Sequence, residues 1–369
     1  MKCKAEELAK VMNRAVRFIP RMTPNESMKD FRLSGRTVQA SGYSLGCLAV
    51  LPGGLDFEKP ICIDAKMATS VINILKDDVE IEVAEKRSVR FTDRNSSFNV
   101  PVVITENMHP FPECTSLFVK APYLHQAMEA VSPFTMDPAS GKVYSGVRLW
   151  NDQVIATNYK VLAVAPIGAK TGLDAVLGPN LVEQFEKSHV GSEIAIDHNR
   201  AFIKSESDTF FGSLMEEFFL DHTTFVSRWK FANKFVIKHE SPKEAIPKLS
   251  LVGRDKDMTS VRFKCGDGKF IMSARNATSD VVVDIPAETT GSCAFRLNIQ
   301  LVAKWFRSIT GLTFTMSYTN GEQDNDPIRF EGSMKMPDDK DTTLTAYVIP
   351  MSLEDRFQPI AKEADNDKE

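Results

Sequence analysis

Basic residues near the start of the chain are spaced for binding an extended anion. They lie at i, i+4, i+7 and i+11 with no acid between them, and they are Lys10, Arg14, Arg17 and Arg21. On a helix this spacing makes one narrow positive stripe, and the apolar residues between positions 8 and 19 make a separate packing face. A phosphate backbone is the natural ligand of such a stripe, although a solvated helix face often has the same pattern.

The helix that must position this stripe belongs to a repeated unit. Three β-hairpin patterns have Arg32, Arg148 and Arg262 in their first strands, 116 and 114 residues apart. A helical pattern precedes each hairpin, least clearly the third, and a second helix and a second hairpin follow. The sequence therefore predicts three domains at residues 1–113, 114–228 and 229–353, with a flexible acidic tail at 354–369.

Two of the second helices repeat the basic character more weakly. The 298–310 segment carries Lys304 and Arg307 beside an apolar set, and the 64–76 segment ends on Lys76. Basic residues on equivalent helices of repeated domains indicate one shared anionic partner. The net charge of −4 excludes a protein that is basic all over, so any positive surface must be local.

The sequence contains few signs of catalysis. It has no P-loop, dinucleotide-binding, zincin or nucleophile-elbow motif, and its six histidines and six cysteines are scattered without metal-ligand spacing. We therefore expect a protein that is not an enzyme, with free thiols and neither a cofactor nor a metal. Catalytic groups can assemble from distant residues, so a cytoplasmic hydrolase using Cys or Ser with a distant His stays an alternative.

The chain has no segment suited to a membrane or to export. Its longest near-apolar run, Val161 to Ile167, is far shorter than the roughly 20 residues that span a bilayer. The first seven residues lack the apolar core of a secretory signal. We expect a cytoplasmic protein without a membrane partner.

Three motifs resemble the bacterial β sliding clamp, the processivity subunit of the replicative DNA polymerase. The segment from Val154 to Val164 is similar to V-A-T-D-G-H-R-L-A-V of the family's second domain. The 109–113 segment, His-Pro-Phe-Pro-Glu, looks like the end of its first domain, and the 347–353 segment, Tyr-Val-Ile-Pro-Met-Ser-Leu, looks like its C-terminus. The motifs occur in the family's order over residues 1–353.

The resemblance implies an α+β fold of three clamp domains, each with two inner helices and outer antiparallel sheets. Two chains would close head to tail into a six-domain ring around double-stranded DNA and contact it without regard to sequence. The basic residues would then face the hole, and Lys142 matches a family loop that touches DNA. The candidate DNA-binding residues are Lys10, Arg14, Arg17, Arg21, Lys76, Lys142, Lys304 and Arg307.

The resemblance also implies a pocket for short linear peptides of the replicative polymerase and the clamp loader. Its expected walls come from the second and third domains, and ordinary strand core is the alternative for each residue. These walls are Tyr144, Thr157, Val161, Leu162, Val348, Ile349, Pro350 and Met351. For the homodimer interface the family pattern places Phe98 and Val100 opposite Leu251 and Val252.

The sequence departs from the family next to the expected pocket. The family's D-G-H-R is replaced by residues 158–161, Asn-Tyr-Lys-Val, and its F-P-D-Y by residues 219–222, Phe-Leu-Asp-His. We expect an altered peptide preference and a divergent, phage-encoded member that works in its host's cytoplasm. Pro247 should kink or shorten the first helix of the third domain.

The sequence thus predicts a homodimeric DNA sliding clamp that tethers a polymerase during replication and relies on a separate, ATP-using loader. The main alternative is a three-repeat scaffold that binds only proteins and does not encircle DNA.

Overall fold

The structure is a computed structural model, and it describes residues 1–350 apart from 21–22, 24, 85–87, 104–109, 189–192, 239, 253–259, 276–278, 320–325, 337 and 339. Arg21, Met351 and the predicted tail at 354–369 lie outside the described residues. Among the described residues, no helix is long and apolar enough to cross a membrane.

The α-helices of the described residues fall where the repeat pattern places them. They are α1 (Ala5–Ala15), α2 (Ala65–Ile74), α3 (Leu124–Val131), α4 (Pro179–Ser188), α5 (His222–Ser227), α6 (Glu240–Val252) and α7 (Ile299–Ser308). Short 3-10 turns extend α1 through Val16–Phe18 and α3 through Ser132–Phe134. Pro247 does not end α6, which continues to Val252, so the prediction that it shortens this helix is wrong.

The strands between these helices are short and pair in antiparallel fashion. The first eight are β1 (Lys2–Lys4), β2 (Asp30–Gly35), β3 (Thr37–Ser41), β4 (Leu45–Val50), β5 (Phe57–Asp64), β6 (Asp78–Ala84), β7 (Ser88–Thr92) and β8 (Ser97–Val103). The next eight are β9 (Val119–Lys120), β10 (Val147–Trp150), β11 (Gln153–Thr157), β12 (Val161–Pro166), β13 (Asp174–Leu177), β14 (Glu193–Asp197), β15 (Arg200–Lys204) and β16 (Asp208–Met215). The last eight are β17 (Phe231–Lys238), β18 (Ser260–Gly266), β19 (Lys269–Arg275), β20 (Asp280–Thr289), β21 (Cys293–Asn298), β22 (Thr313–Thr319), β23 (Ile328–Lys335) and β24 (Asp341–Val348).

The helices are amphipathic and begin at side chains that cap them. Asp64 accepts a hydrogen bond from the Met67 N–H at the start of α2, and Asn298 accepts one from the Gln300 N–H at the start of α7. These caps satisfy donors that the first helical turn leaves open. The apolar faces are buried, with Leu8 and Met12 of α1 and Trp305 of α7 all at most 3% exposed.

The chain divides into two compact units, the first formed by Met1–Glu129, Asp137–Val154 and Ile167–Phe219. In this unit β1, β6, β7 and β8 form one antiparallel sheet in that order. A longer sheet has the order β5-β2-β3-β4-β16-β15-β14-β9. The β4–β16 ladder, with Asp208 opposite Ala49, therefore joins the first repeat to the second.

The second unit contains Ala130–Met136, Ile155–Pro166 and the chain from Leu220 onwards. One of its sheets has the order β12-β24-β23-β22-β17, and another has the order β21-β18-β19-β20. The β12–β24 ladder, with Val161 opposite Val348, joins the second repeat to the third as β4–β16 joins the first two.

Two strand edges remain at the ends of this pattern. Strand β8 corresponds to β16 and β24, and β20 corresponds to β4 and β12. Within the described ladders, β8 pairs at Ser97–Pro101 only with β7, and β20 pairs at Asp280–Pro286 only with β19. Each strand thus has one edge of unpaired backbone groups where its counterparts have a neighbouring repeat.

Candidate functional site

The basic stripe of α1 differs in its surroundings from residue to residue. Lys10 and Arg17 are exposed, whereas the Arg14 side chain is only 21% exposed. Lys10 forms an i,i+4 salt bridge with Glu6, with 2.7 Å between Nζ and Oε1. This hydrogen bond raises the pKa of Lys10 and lowers that of Glu6. The pair lies in solvent, so an incoming phosphate can compete with Glu6 for the ammonium.

Arg14 is engaged within the first unit. Its Nη2 lies 2.8 Å from Oδ2 and 3.0 Å from Oδ1 of Asp208, the first residue of β16, whose carboxylate is fully buried. Ser207 donates a further hydrogen bond to the same carboxylate. Arg14 therefore offsets a buried charge beside the β4–β16 ladder, a partner that the sequence analysis did not anticipate.

Other candidates leave their charged groups in solvent. Lys76 follows α2, Lys142 lies in the loop before β10, and Arg307 is in the last turn of α7, and all three are exposed. Lys304 is half-buried, and its Nζ donates a 2.7 Å hydrogen bond to the Pro133 carbonyl. Lys76, Lys142 and Arg307 are thus the candidates best placed to meet a phosphate, and DNA contact stays a prediction for the whole set.

The exposed base Lys76 is carried by a rigid pair of helices. Asn13 of α1 and Asn73 of α2 exchange two side-chain hydrogen bonds, of 2.7 and 3.1 Å. After α2, the Lys76 N–H donates to Asp93 in the β7–β8 turn. The Ser96 hydroxyl and the N–H groups of Asn95 and Lys76 lower the pKa of Asp93 to about 2. The backbone that presents Lys76 is therefore fixed at both ends.

Most of the predicted peptide-pocket residues meet at the β12–β24 junction. Thr157 Oγ1 donates a 2.7 Å hydrogen bond to the Val161 carbonyl, and the Ile349 N–H donates to the Lys160 carbonyl at 2.8 Å. Val161 and Leu162 lie opposite Val348 and Tyr347 in the ladder. Tyr144 belongs to the other unit, where its ring contacts Phe219 edge-on, with 5.1 Å between centroids.

The aliphatic side chains of this group are largely covered within the chain. Thr157, Val161, Leu162 and Val348 are all at most 7% exposed, and Ile349 is half-buried. Val161 and Val348 line an apolar cavity of about 10 Å³ together with residues of α7 and of the turn after α3, which include Phe134, Leu301, Val302 and Trp305. A cavity of this size admits no side chain, so an apolar anchor could enter it only if these residues move.

The departure at residues 219–222 has a local structural role. Asp221 accepts hydrogen bonds from the backbone and hydroxyl groups of Thr223 and Thr224 and so caps α5. These bonds, the Thr224 hydroxyl first, hold the pKa of Asp221 well below its usual range. His222 is buried beside it.

The predicted interface residues are divided between surface and core. Leu251 is 64% exposed, and Phe98 is half-buried. Val100 and Val252 are buried within the chain at 0% and 6% exposure, so they already serve its own core. The sequence analysis missed Val282 of β20, which is 63% exposed on the strand with a free edge. Strand alternation is the signal that could have found it, because Val281, Val282 and Val283 cannot all face one core.

The described residues contain no cluster of three or more His, Cys, Asp or Glu side chains that could hold a metal ion. The arrangement is one of basic helices, repeated strand junctions and an apolar junction cavity.

Solved structures with this arrangement are similar along their whole length. A sliding clamp (DNA polymerase III subunit beta) from Pseudomonas aeruginosa bound to griselimycin has a TM-score of 0.81 at 13% identity, covering 96% of this chain and 99% of that one. A β clamp from Helicobacter pylori in complex with carprofen has a TM-score of 0.80 at 15% identity, covering 96% and 100%. The DNA polymerase sliding clamp from Bacillus subtilis has a TM-score of 0.79 at 14% identity, covering 95% and 98%.

The chain has the β sliding clamp fold. The fold class predicted from the sequence is confirmed, and so is the resemblance that suggested it. No protein-family model matches the sequence, and no curated protein matches it. At 12–16% identity the likeness to clamps concerns the fold, and the roles of individual residues stay predictions.

Proposed function

We propose that this protein is a DNA sliding clamp, in which two chains close head to tail around double-stranded DNA and tether a replicative polymerase. In this proposal it is not an enzyme, and a separate ATP-using loader opens it. The three domains are those predicted from the sequence, at 1–113, 114–228 and 229–353. The phage origin and the host cytoplasm belong to the same proposal.

The observation that carries the proposal is the repeated strand junction. The β4–β16 and β12–β24 ladders join successive repeats in the same way, and the edges of β8 and β20 are the two ends of that series. Pairing β8 of one chain with β20 of a second chain would satisfy both edges and close a ring of six repeats. Leu251 and Val282 would then be covered by the second chain.

A ring supports function with weak contacts. A closed ring leaves DNA only by opening an interface, so its phosphate contacts need only be many and indifferent to sequence. Lys76, Lys142 and Arg307 are the exposed bases that would supply them. Such contacts break and re-form at low cost, which permits sliding.

The β12–β24 junction is the proposed site for linear peptides of the polymerase and the loader. Ile349 combines partial exposure with a backbone bond to Lys160, so it is the predicted wall residue most open to a ligand. Buried apolar anchors give such pockets their affinity. Ile349→Asp should weaken the binding of a polymerase-derived peptide at least tenfold, and unchanged affinity would remove this site from the proposal.

A threading assay tests encirclement without a loader. A linear duplex is fixed to a bead at one end, and its free end carries biotin. The protein is added, half of the beads then receive streptavidin, and all are washed at high salt, which screens phosphate contacts. Retention only on the capped DNA supports the ring. Equal loss from both, as expected of a scaffold that binds only proteins, or equal retention on both, overturns it.

A further inference from the structure

Two cysteines face each other across neighbouring strands of the third repeat. Cys265 of β18 and Cys293 of β21 are direct partners in the antiparallel ladder. Their side chains hydrogen-bond each other, and both thiols are free. Directly opposed residues of antiparallel strands have Cα atoms about 4.5–5.5 Å apart, which is within the range that a disulfide spans. No other two cysteines are partners in the ladders of the described strands.

The two thiols differ in access to solvent. Cys265 is 1% exposed, and its row continues across the sheet through the buried Phe270 and Ile285. Cys293 stands at the end of this row and is only half-buried. A small oxidant can therefore reach Cys293 first, with Cys265 held beside it.

We propose that Cys265 and Cys293 form a peroxide-responsive dithiol that closes into an intrachain disulfide. In the first step the Cys293 sulfur attacks hydrogen peroxide, becomes a sulfenic acid, and one water leaves. In the second step the Cys265 sulfur displaces the hydroxyl from that sulfenic acid, the S–S bond forms, and a second water leaves. The two thiols lose two electrons and two protons in total, and the peroxide is reduced to water.

The surroundings support this order of events. Burial, together with the Cys293 thiol, raises the pKa of Cys265, so Cys265 stays a thiol until an electrophilic sulfur is formed beside it. The bond would cross-link β18 to β21, two strands away from the free edge of β20. It would therefore strengthen the third repeat without joining separate repeats.

Mass spectrometry of the full-length protein tests the proposal. The protein is treated with hydrogen peroxide, alkylated under denaturing conditions and digested, and peptides carrying each cysteine are quantified. We expect a linked Cys265–Cys293 peptide that is lighter than its two reduced peptides by two hydrogen atoms, that is independent of protein concentration, and that dithiothreitol separates.

Single variants provide the controls. Cys265→Ser should abolish the link and leave Cys293 at the sulfenic acid or beyond, and Cys293→Ser should leave Cys265 reduced. Cys114 is the matched control, because it is also half-buried but its thiol donates to the Ser116 carbonyl. Cys114→Ser should retain the full yield of link. The proposal is overturned if Cys265 is recovered reduced at peroxide doses that oxidise Cys293 or Cys114, or if the link requires Cys114.

Discussion

Arg14 of α1 and Asp208 of β16 form a salt bridge between residues 194 positions apart, with 2.8 Å between Nη2 and Oδ2. The carboxylate is fully buried, and the guanidinium is 21% exposed. Nearby, the rings of Phe18 and Phe210 stack with 5.0 Å between centroids. A side chain that sequence reasoning assigns to DNA is therefore part of the joint between the first two repeats.

Removing one partner of this pair should destabilise the protein. Arg14→Ala leaves the Asp208 carboxylate buried without its cation, which should lower the free energy of unfolding by about 2–4 kcal/mol in the first urea transition. The double variant Arg14→Met/Asp208→Leu should recover most of that stability, because an apolar pair carries no desolvation penalty. A change below about 0.5 kcal/mol for Arg14→Ala would mean that the salt bridge has no structural role.

Charge reversal at exposed bases should weaken DNA binding. Lys76→Glu and Arg307→Glu should each reduce the steepness of log K against log salt by about 0.9 for every phosphate that the side chain no longer neutralises, measured by fluorescence anisotropy with duplex DNA. Lys264→Glu is the matched control, because Lys264 is exposed on β18 between the buried Phe263 and Cys265 and so faces away from the core. Equal effects of all three variants would leave only a non-specific effect of net charge.

A charge on the free edge of β20 should prevent dimer formation. Val282→Glu places a carboxylate on a side chain that is 63% exposed, so the fold should persist while the second chain is repelled. Sedimentation should show monomers for this variant and dimers for the unaltered protein. Leu312→Glu, at a position 86% exposed outside β8 and β20, should stay dimeric. Unchanged dimers with Val282→Glu would contradict the proposed edge pairing.

The turn that fixes Lys76 should lose its support only in strong acid. The pKa of Asp93 is about 2, below the value of about 3.9 expected when unfolded, so its stabilisation is present above pH 3.9 and is lost as the pH falls through 2. Ser96→Ala removes the main hydrogen bond and should raise this pKa, measured by NMR titration of the carboxyl carbon. Thr92→Ala should not, since Thr92 Oγ1 bonds Ser97 instead. An Asp93 that titrates at its ordinary value in the unaltered protein would refute the hydrogen-bonded turn.

The sequence predicted the parts of the fold that depend on local patterns. Apolar spacing located α1, α2 and α7, and repeated hairpins revealed the threefold organisation. It could not show that Arg14 meets Asp208, because that contact depends on how β16 pairs with β4. Nor could it separate the buried Val100 and Val252 from the exposed Leu251, because adjacent apolar residues are alike until packing assigns each a face. Pro247 lies inside α6 although helix propensity opposes it, so packing outweighs propensity there.

Electron microscopy of the purified protein tests the central claim most directly. The account predicts a closed particle of two chains with an opening wide enough for a double helix, about 20 Å across on the groove dimensions of B-DNA, and with Lys76, Lys142 and Arg307 lining it. A two-chain particle without such an opening, or one whose opening is lined by acidic side chains, would contradict it.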